Sequence, residues 1–334
     1  TNDLNERMAA VRSSFGPLAI TPQTAVTRTQ SKWRYYISLG ETSNNGFEPM
    51  NVGPIRDGNP SDLRVAPLVK TKWYQRGIYE KYYNQNEQRY KFKDLGLACQ
   101  NYYTPRLVDN SPVWNEDQAD NFPCGCVATL MAQLMRYHRY PDQPYQPNDP
   151  CTVGVGIEDN NGDFNDVDTI YPDGTLPRRY LLGGNEQGGE YQWDDMDLVP
   201  DANSTQMARK AIGAVCHDAG VSVNMSYAAG ESVTVMVGNE SYTSVADALK
   251  SRFKYANAIT VFTGTHIGPG LAGMMNANLD AKCPVMLGIP GHAVLVDGYG
   301  FGYGNDDSTA YHHINMGWYG LDDCWYNLPD IVAR

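Results

Sequence analysis

"FPCGCVATLMAQLMRYHRYP", residues 122–141, sets two cysteines one glycine apart directly in front of an apolar run. Val127, Leu130, Met131, Leu134, Met135 and His138 recur at i, i+3, i+4, i+7, i+8 and i+11, one continuous stripe, so the spacing predicts a helix. Thr129, Gln133 and Arg136 fall off the stripe, and Pro141 is expected to stop the helix. Cys126 then stands at or just before the first turn. There, unsatisfied backbone N–H groups and the positive end of the macrodipole stabilise a thiolate and lower its pKa. Its own N–H points where an oxyanion would form, and Gly125 keeps the approach open. Cys124 lies outside the helix and lacks this field. Cys126 is the candidate nucleophile; two small packing cysteines are the bland alternative.

A nucleophilic thiol needs a base, and six histidines compete. His138 sits on the apolar stripe and reads as a core residue. His217 ends a second predicted helix, and His266 lies in a polar loop. His292 follows Pro290-Gly291 and opens the apolar run "HAVLVDGYG", which holds its ring rigidly at a cleft edge. A third group must fix the ring's tautomer. Asn315, in "HHINMGW", lies on a following strand expected beside His292, with its amide oxygen as acceptor and Trp318 shielding the bond from water. His312 and His313 alternate faces on that strand, one toward the core and one toward solvent.

Around these blocks the chain reads as α+β. Helices are predicted at 4–15, at 204–218 with Ser204 as cap, and at 243–254. Strands are predicted at 33–39, 284–289, 292–300, 310–318 and 324–328, so helices come first and antiparallel strands later. Residues 142–190 read as polar loop. Composition breaks at Arg64: 1–63 form an N-terminal arm or residual pro-segment and 64–334 the main domain.

The 334 residues suffice for a sizeable core, with 42% hydrophobic and 19% charged residues. A formal charge of −12 without a basic block excludes nucleic acid and anionic membrane as partners. No apolar stretch approaches the ~18 residues of a membrane span. An opening "TNDLNERMAA" without Met is expected to derive from a longer precursor, and the composition fits an extracytoplasmic protein. Cysteines at 99, 124, 126, 151, 216, 283 and 324 are odd in number, so one at least stays unpaired. "DNNGDFNDVD" (159–168) alternates Asp and Asn oxygens, but Phe164 at position 6 and the missing Glu at position 12 argue for a solvated loop over a calcium site. A soft metal site from Cys124, Cys126 and His312 or His313 fits the helix placement poorly.

"GCVATLMAQLMRYHRYP", "GHAVLVDGYG" and "YHHINMGWYG" resemble the three blocks of the streptopain family of secreted bacterial cysteine proteases. "VAPLVKTKWYQRGIY", "YQWDDM" and "AGVSVNMSYAAGES" agree in order, so the resemblance runs from about residue 64 to the C-terminus. It implies a papain-like fold, with the nucleophile on Cys126 and the base on His292. It also implies substrate contacts at Gly291 and Ser232, a preference for an apolar residue two positions before the scissile bond, and an inhibitory propeptide upstream of "VAPLV". Papain-like enzymes place a Gln side chain in the oxyanion hole; Gln75 and Gln118 are both candidates. The family usually reads "NWGWGG". Here Met316 stands where an aromatic would cover the catalytic pair, Tyr319 replaces a glycine, and Cys124 replaces a small residue and is a candidate for a regulatory disulfide.

The expected activity is therefore a secreted cysteine endopeptidase, needing no cofactor. Its partners would be protein or peptide substrates and its own propeptide or a protein inhibitor, and it would be secreted, periplasmic or at the cell surface. Two rivals are a weakly active relative serving as scaffold, and a Cys–His acyl transferase or amidase on cell-wall peptides.

Overall fold

A computed structural model describes residues 53–334 except 110, 157–177, 235, 237–242, 262–268, 290, 305, 329–330 and 332–334. The helix expected at 4–15, the strand at 33–39, the Asp/Asn loop at 159–168 and His266 lie outside the described residues. Four helices occur among those described: α1 (Cys126–His138), α2 (Gln206–Ser222), α3 (Val245–Phe253) and α4 (Pro269–Asp280). The longer strands are β1 (Asp62–Val65), β2 (Tyr79–Asn84), β3 (Arg89–Asp94), β4 (Val285–Ile289), β5 (His292–Tyr303), β6 (Asp306–Asn315) and β7 (Cys324–Tyr326).

β5 is the centre of an antiparallel sheet in the order β1-β5-β6-β7, with β4 also paired to β5. β4 covers its first half, Val285 opposite Val296 and Ile289 opposite His292, while β1 covers Tyr299 to Phe301 on the same side. Both faces of β5 are buried, which explains why it reads as a near-continuous apolar run. Ala293 and Leu295 pack into the core around α1 and α2, while Val294 and Val296 pack into a second core with Met275 and Leu279 of α4. His292 opens this strand between the two cores.

α1 begins at Cys126 as the stripe predicts, but it is enclosed on all sides. Every residue from Val127 to Met135 is buried, Thr129 and Gln133 included. The two polar side chains are satisfied internally: Thr129 Oγ1 donates to the Gly125 carbonyl at 2.9 Å, and Thr71 Oγ1 donates to Gln133 Oε1 at 2.7 Å. Fully burying each Leu or Met of such a helix stabilises by roughly 1.5–3 kcal/mol, and cutting Met131 to alanine would cost about 2–5 kcal/mol. The helix ends at His138, ahead of Pro141, with Arg139 in the left-handed conformation (φ 50).

α2 runs four residues beyond its expected end, and its cap is Thr205, whose side chain accepts from Ala208 N–H at 3.1 Å, not Ser204. Ser204 is instead occupied as a donor to Asp197 at 2.6 Å. His217 lies inside α2, buried, with Nδ1 2.9 Å from Asp218. α3 matches its expected span, capped by Ser244. α4 and the β2–β3 hairpin were not expected. The end of the expected arm, residues 55–63, is joined to the sheet. Ile55 exchanges backbone hydrogen bonds with Trp325, Arg56 pairs with Asp322, and β1 starts at Asp62. No helix among the described residues is long and apolar enough to cross a membrane.

Candidate active site

Gly125 is the N-cap of α1, at φ 88 and ψ 151, and no side chain caps the helix. Only glycine fits there: the backbone is left-handed, and a Cβ would lie 2.8 Å from the Ser232 carbonyl oxygen and 2.9 Å from Met225 Cε. The uncapped first turn leaves its N–H groups free to serve the thiol. The backbone N–H groups of Ala293, of Val127 and of Cys126 itself stand near the sulfur of half-buried Cys126 and favour its thiolate. Burial nevertheless pushes the thiol pKa up, reversing the lowered value expected from the helix terminus, and the nearby Glu231 carboxylate pushes the same way. Cys124 is fully buried, with its sulfur 3.2 Å from Thr129 Oγ1 and close to Cys216. All seven cysteines are free.

The Ala293 N–H belongs to the residue after His292, so the sulfur sits against the first residues of β5. The His292 ring is half-buried, with Nε2 2.9 Å from the Met316 carbonyl oxygen. A carbonyl only accepts, so Nε2 carries the hydrogen and Nδ1 keeps its lone pair. Burial pulls the imidazole pKa down, against the upward pull of that carbonyl and of Glu231. Trp318 stacks on the ring, centroids 4.5 Å apart and planes at 26°.

Asn315 was expected to accept directly from the ring, and the Met316 carbonyl stands there instead. The amide nitrogen of Asn315 donates to the Thr71 carbonyl at 3.0 Å, and its Oδ1 accepts from Gly317 N–H at 2.9 Å. That N–H and the Met316 carbonyl are two ends of one peptide group. Asn315 is thus joined to His292 through a single polarised amide. One residue back, Met316 N–H donates to Asp323 Oδ1 at 2.8 Å, and burial raises the Asp323 pKa to about 6. The Met316 side chain is buried in the second core, and aromatic cover over the base comes from Trp318.

The sequence profile of the Peptidase C10 family matches residues 99–326. The chain belongs to that family. It is 24% identical over 311 residues to streptopain of Streptococcus pyogenes serotype M1, covering 88% of this chain and 67% of that protein. It is 27% identical over 280 residues to the thiol protease/hemagglutinin PrtT of Porphyromonas gingivalis, covering 81% of this chain but 26% of that protein. Its fold is similar to interpain A cysteine protease of Prevotella intermedia (TM-score 0.53, 20% identity, 82% of this chain and 91% of that one). It is also similar to a prointerpain A fragment from the same organism (TM-score 0.54, 18% identity, 95% and 82%). The protein is a cysteine-type peptidase.

Of the other expected residues in this C10 peptidase, Gly291 directly precedes His292 in the chain and Ser232 abuts Gly125, the residue before Cys126. Gly291 is exposed at φ +71 in the turn between β4 and β5, with open space where a side chain would be. Ser232 is buried; its hydroxyl accepts from Ala228 N–H at 3.3 Å and its carbonyl abuts Gly125. The Gln75 carbonyl accepts from Cys124 N–H at 2.8 Å, whereas Gln118 is exposed in a turn. His312 is buried with Nε2 2.8 Å from Asn276. His313 Nδ1 is held to Asp297 Oδ1 at 2.6 Å, so neither of the two rings is turned to solvent as one of them was expected to be. Tyr319, in place of a glycine, accepts from Tyr79 N–H at 3.0 Å and donates to the Gly77 carbonyl. Its ring packs among Tyr74, Tyr79 and Phe92. Sequence reading left out Met316 O, Asp323 and Glu231. A backbone acceptor carries no sequence signal, but the Glu231 carboxylate stood in plain view in "GES".

Proposed function

We propose that the chain is a secreted endopeptidase in which Cys126 is the nucleophile and His292 its base. The observation that supports this most is the closeness of the Ala293 N–H to the Cys126 sulfur, where the helix of the nucleophile meets the strand of the base. With the thiol pKa held up and the imidazole pKa held down, the resting pair is neutral. Nδ1 of His292 takes the thiol proton as sulfur attacks the scissile carbonyl carbon. The Cys126 N–H receives the developing oxyanion, with the Gln75 amide as second donor; its anchorage to Cys124 favours it over Gln118. The imidazolium protonates the leaving amine as the C–N bond breaks. Water, giving a proton back to His292, then cleaves the thioester and frees the thiol. The chemistry needs no cofactor, only a reduced sulfur.

Gly291 and the Ser232 strip flank the substrate, Trp318 keeps water from the His292–Met316 bond, and an apolar residue sits two positions before the scissile bond. Residues upstream of Ile55 supply an inhibitory pro-segment, and the pairing of Ile55 and β1 with the sheet keeps 55–63 with the catalytic domain. A fluorogenic peptide with that apolar residue, assayed under reductant, tests the reading. Hydrolysis should stop when alkylation labels Cys126; hydrolysis that survives complete labelling of Cys126 overturns it.

A further inference from the structure

Residues 226–233 form a closed loop beside the nucleophile. Ser226 and Val233 exchange backbone hydrogen bonds at 2.9 Å each way, and Ala228 N–H reaches Ser232 Oγ. Arg76 Nη2 donates to the Ala229 and Gly230 carbonyls at 2.7 and 2.9 Å. The Ser232 carbonyl is close enough to Gly125 to exclude any side chain there. The loop is therefore fixed against the residue that precedes Cys126. Glu231 lies within it, exposed, and its charge acts on both Cys126 and His292. Among the described residues no Lys, Arg or His forms an ion pair with it, and the hydrogen bonds of the neighbouring Arg76 guanidinium go to carbonyls. An unpaired carboxylate on a loop whose backbone is held beside the nucleophile is a receptor for a cation.

We propose that Glu231 is a specificity residue that binds a Lys or Arg side chain of the substrate within one residue of the scissile bond. This rests on Cys126 and His292 being the catalytic pair, and it adds a charged subsite to the apolar one. An ion pair at a solvent-open cleft wall is weak and screened by salt, so its expected effect is about two- to fivefold in kcat/KM at low ionic strength.

The test uses the full chain under reductant and peptides sharing one apolar residue two positions before the cleaved bond. Each flanking position carries Lys, Gln or Glu in turn. At one position Lys should exceed Gln by about two- to fivefold, and added sodium chloride should narrow the gap. Glu231→Gln should bring the Lys/Gln ratio to one, and Glu231→Arg should favour the Glu peptide. Equal rates for Lys and Gln in the natural protein overturn the proposal, as does a ratio that survives Glu231→Gln. A uniform fall across all three peptides with the ratio intact would make Glu231 a modulator of the catalytic pair instead. If no peptide is cleaved in a thiol-dependent way, the reading of Cys126 and His292 falls first and this inference with it.

Discussion

Nε2 of His292 lies 2.9 Å from the main-chain carbonyl oxygen of Met316, so backbone, not a side-chain amide, holds the ring. The other end of that peptide group, Gly317 N–H, is held by Asn315 Oδ1. His292→Ala should lower kcat/KM to the level of a nucleophile deletion, because base and thiol act as a unit. Asn315→Ala loses a buried anchor without touching the ring, and should lower kcat about ten- to a hundredfold with little change in KM. Asn315→Asp keeps an acceptor for Gly317 N–H but gives up the donor to Thr71, and should recover part of the loss. An Asn315→Ala enzyme with unchanged kcat would show that the peptide link carries no orientation.

The two cysteines at the helix mouth should separate cleanly. Cys126→Ala should abolish hydrolysis with the fold intact by circular dichroism. Cys124→Ala should keep at least about a tenth of the activity and show a lower melting temperature, since it removes buried sulfur packed on Thr129 and Cys216. Brief alkylation followed by mass spectrometry should find Cys126 labelled and Cys124 protected. The reverse labelling pattern would refute the assignment.

The pH profile follows from the two shifts. Burial lowers the His292 pKa from its ordinary 6.5 and raises the Cys126 pKa from 9.0. Attack requires a neutral imidazole, so kcat/KM should rise with pH through a midpoint below 6.5. The thiol remains protonated to above 9, so the plateau should extend at least that far. The pair titrates jointly, and the two limbs belong to both groups together. An acid limb well above 6.5 would contradict a neutral resting pair.

Asp323 predicts a stability effect of opposite sign to the usual salt-bridged carboxylate. Its pKa is about 6 in the folded chain against an ordinary 3.8, so between these values the folded state binds more protons than the unfolded one. The stability it contributes is fully present below about pH 4 and is lost as pH rises through 6. Asp323→Asn keeps an acceptor for Met316 N–H and carries no charge. Urea unfolding should show it more stable at pH 7.5 by about 1–2 kcal/mol, with the gap closing toward pH 4.

The period of α1 was legible because five apolar residues and His138 repeat along it, and β5 because it is apolar on both faces. The burial of Thr129 and Gln133 was not legible, since the partners that make it affordable, the Gly125 carbonyl and Thr71, lie elsewhere in the chain or in its backbone. α4 carries Pro269, Gly270 and Gly273, which read as a loop. The β2–β3 hairpin hid because "YEKYYN" and "RYKFKD" spread aromatic and charged residues over both faces. At the site, Cys126 and His292 were legible as residue types beside turn signals. The ring's partner was not, because a main-chain carbonyl is the same at every position.

Tyr319 ties two stretches of chain that are distant in sequence. Its hydroxyl closes on Gly77 and Tyr79 at the root of the β2–β3 hairpin, and its neighbour Trp318 lies on the imidazole. A glycine at 319 would leave the hairpin root without that hydroxyl and its aromatic neighbours without a ring. A change at the root of this hairpin is therefore felt in the tryptophan loop. A substitution at Tyr74, Gly77 or Tyr79 would shift the anchor of Tyr319 and, through its neighbour Trp318, the surface on which the imidazole rests.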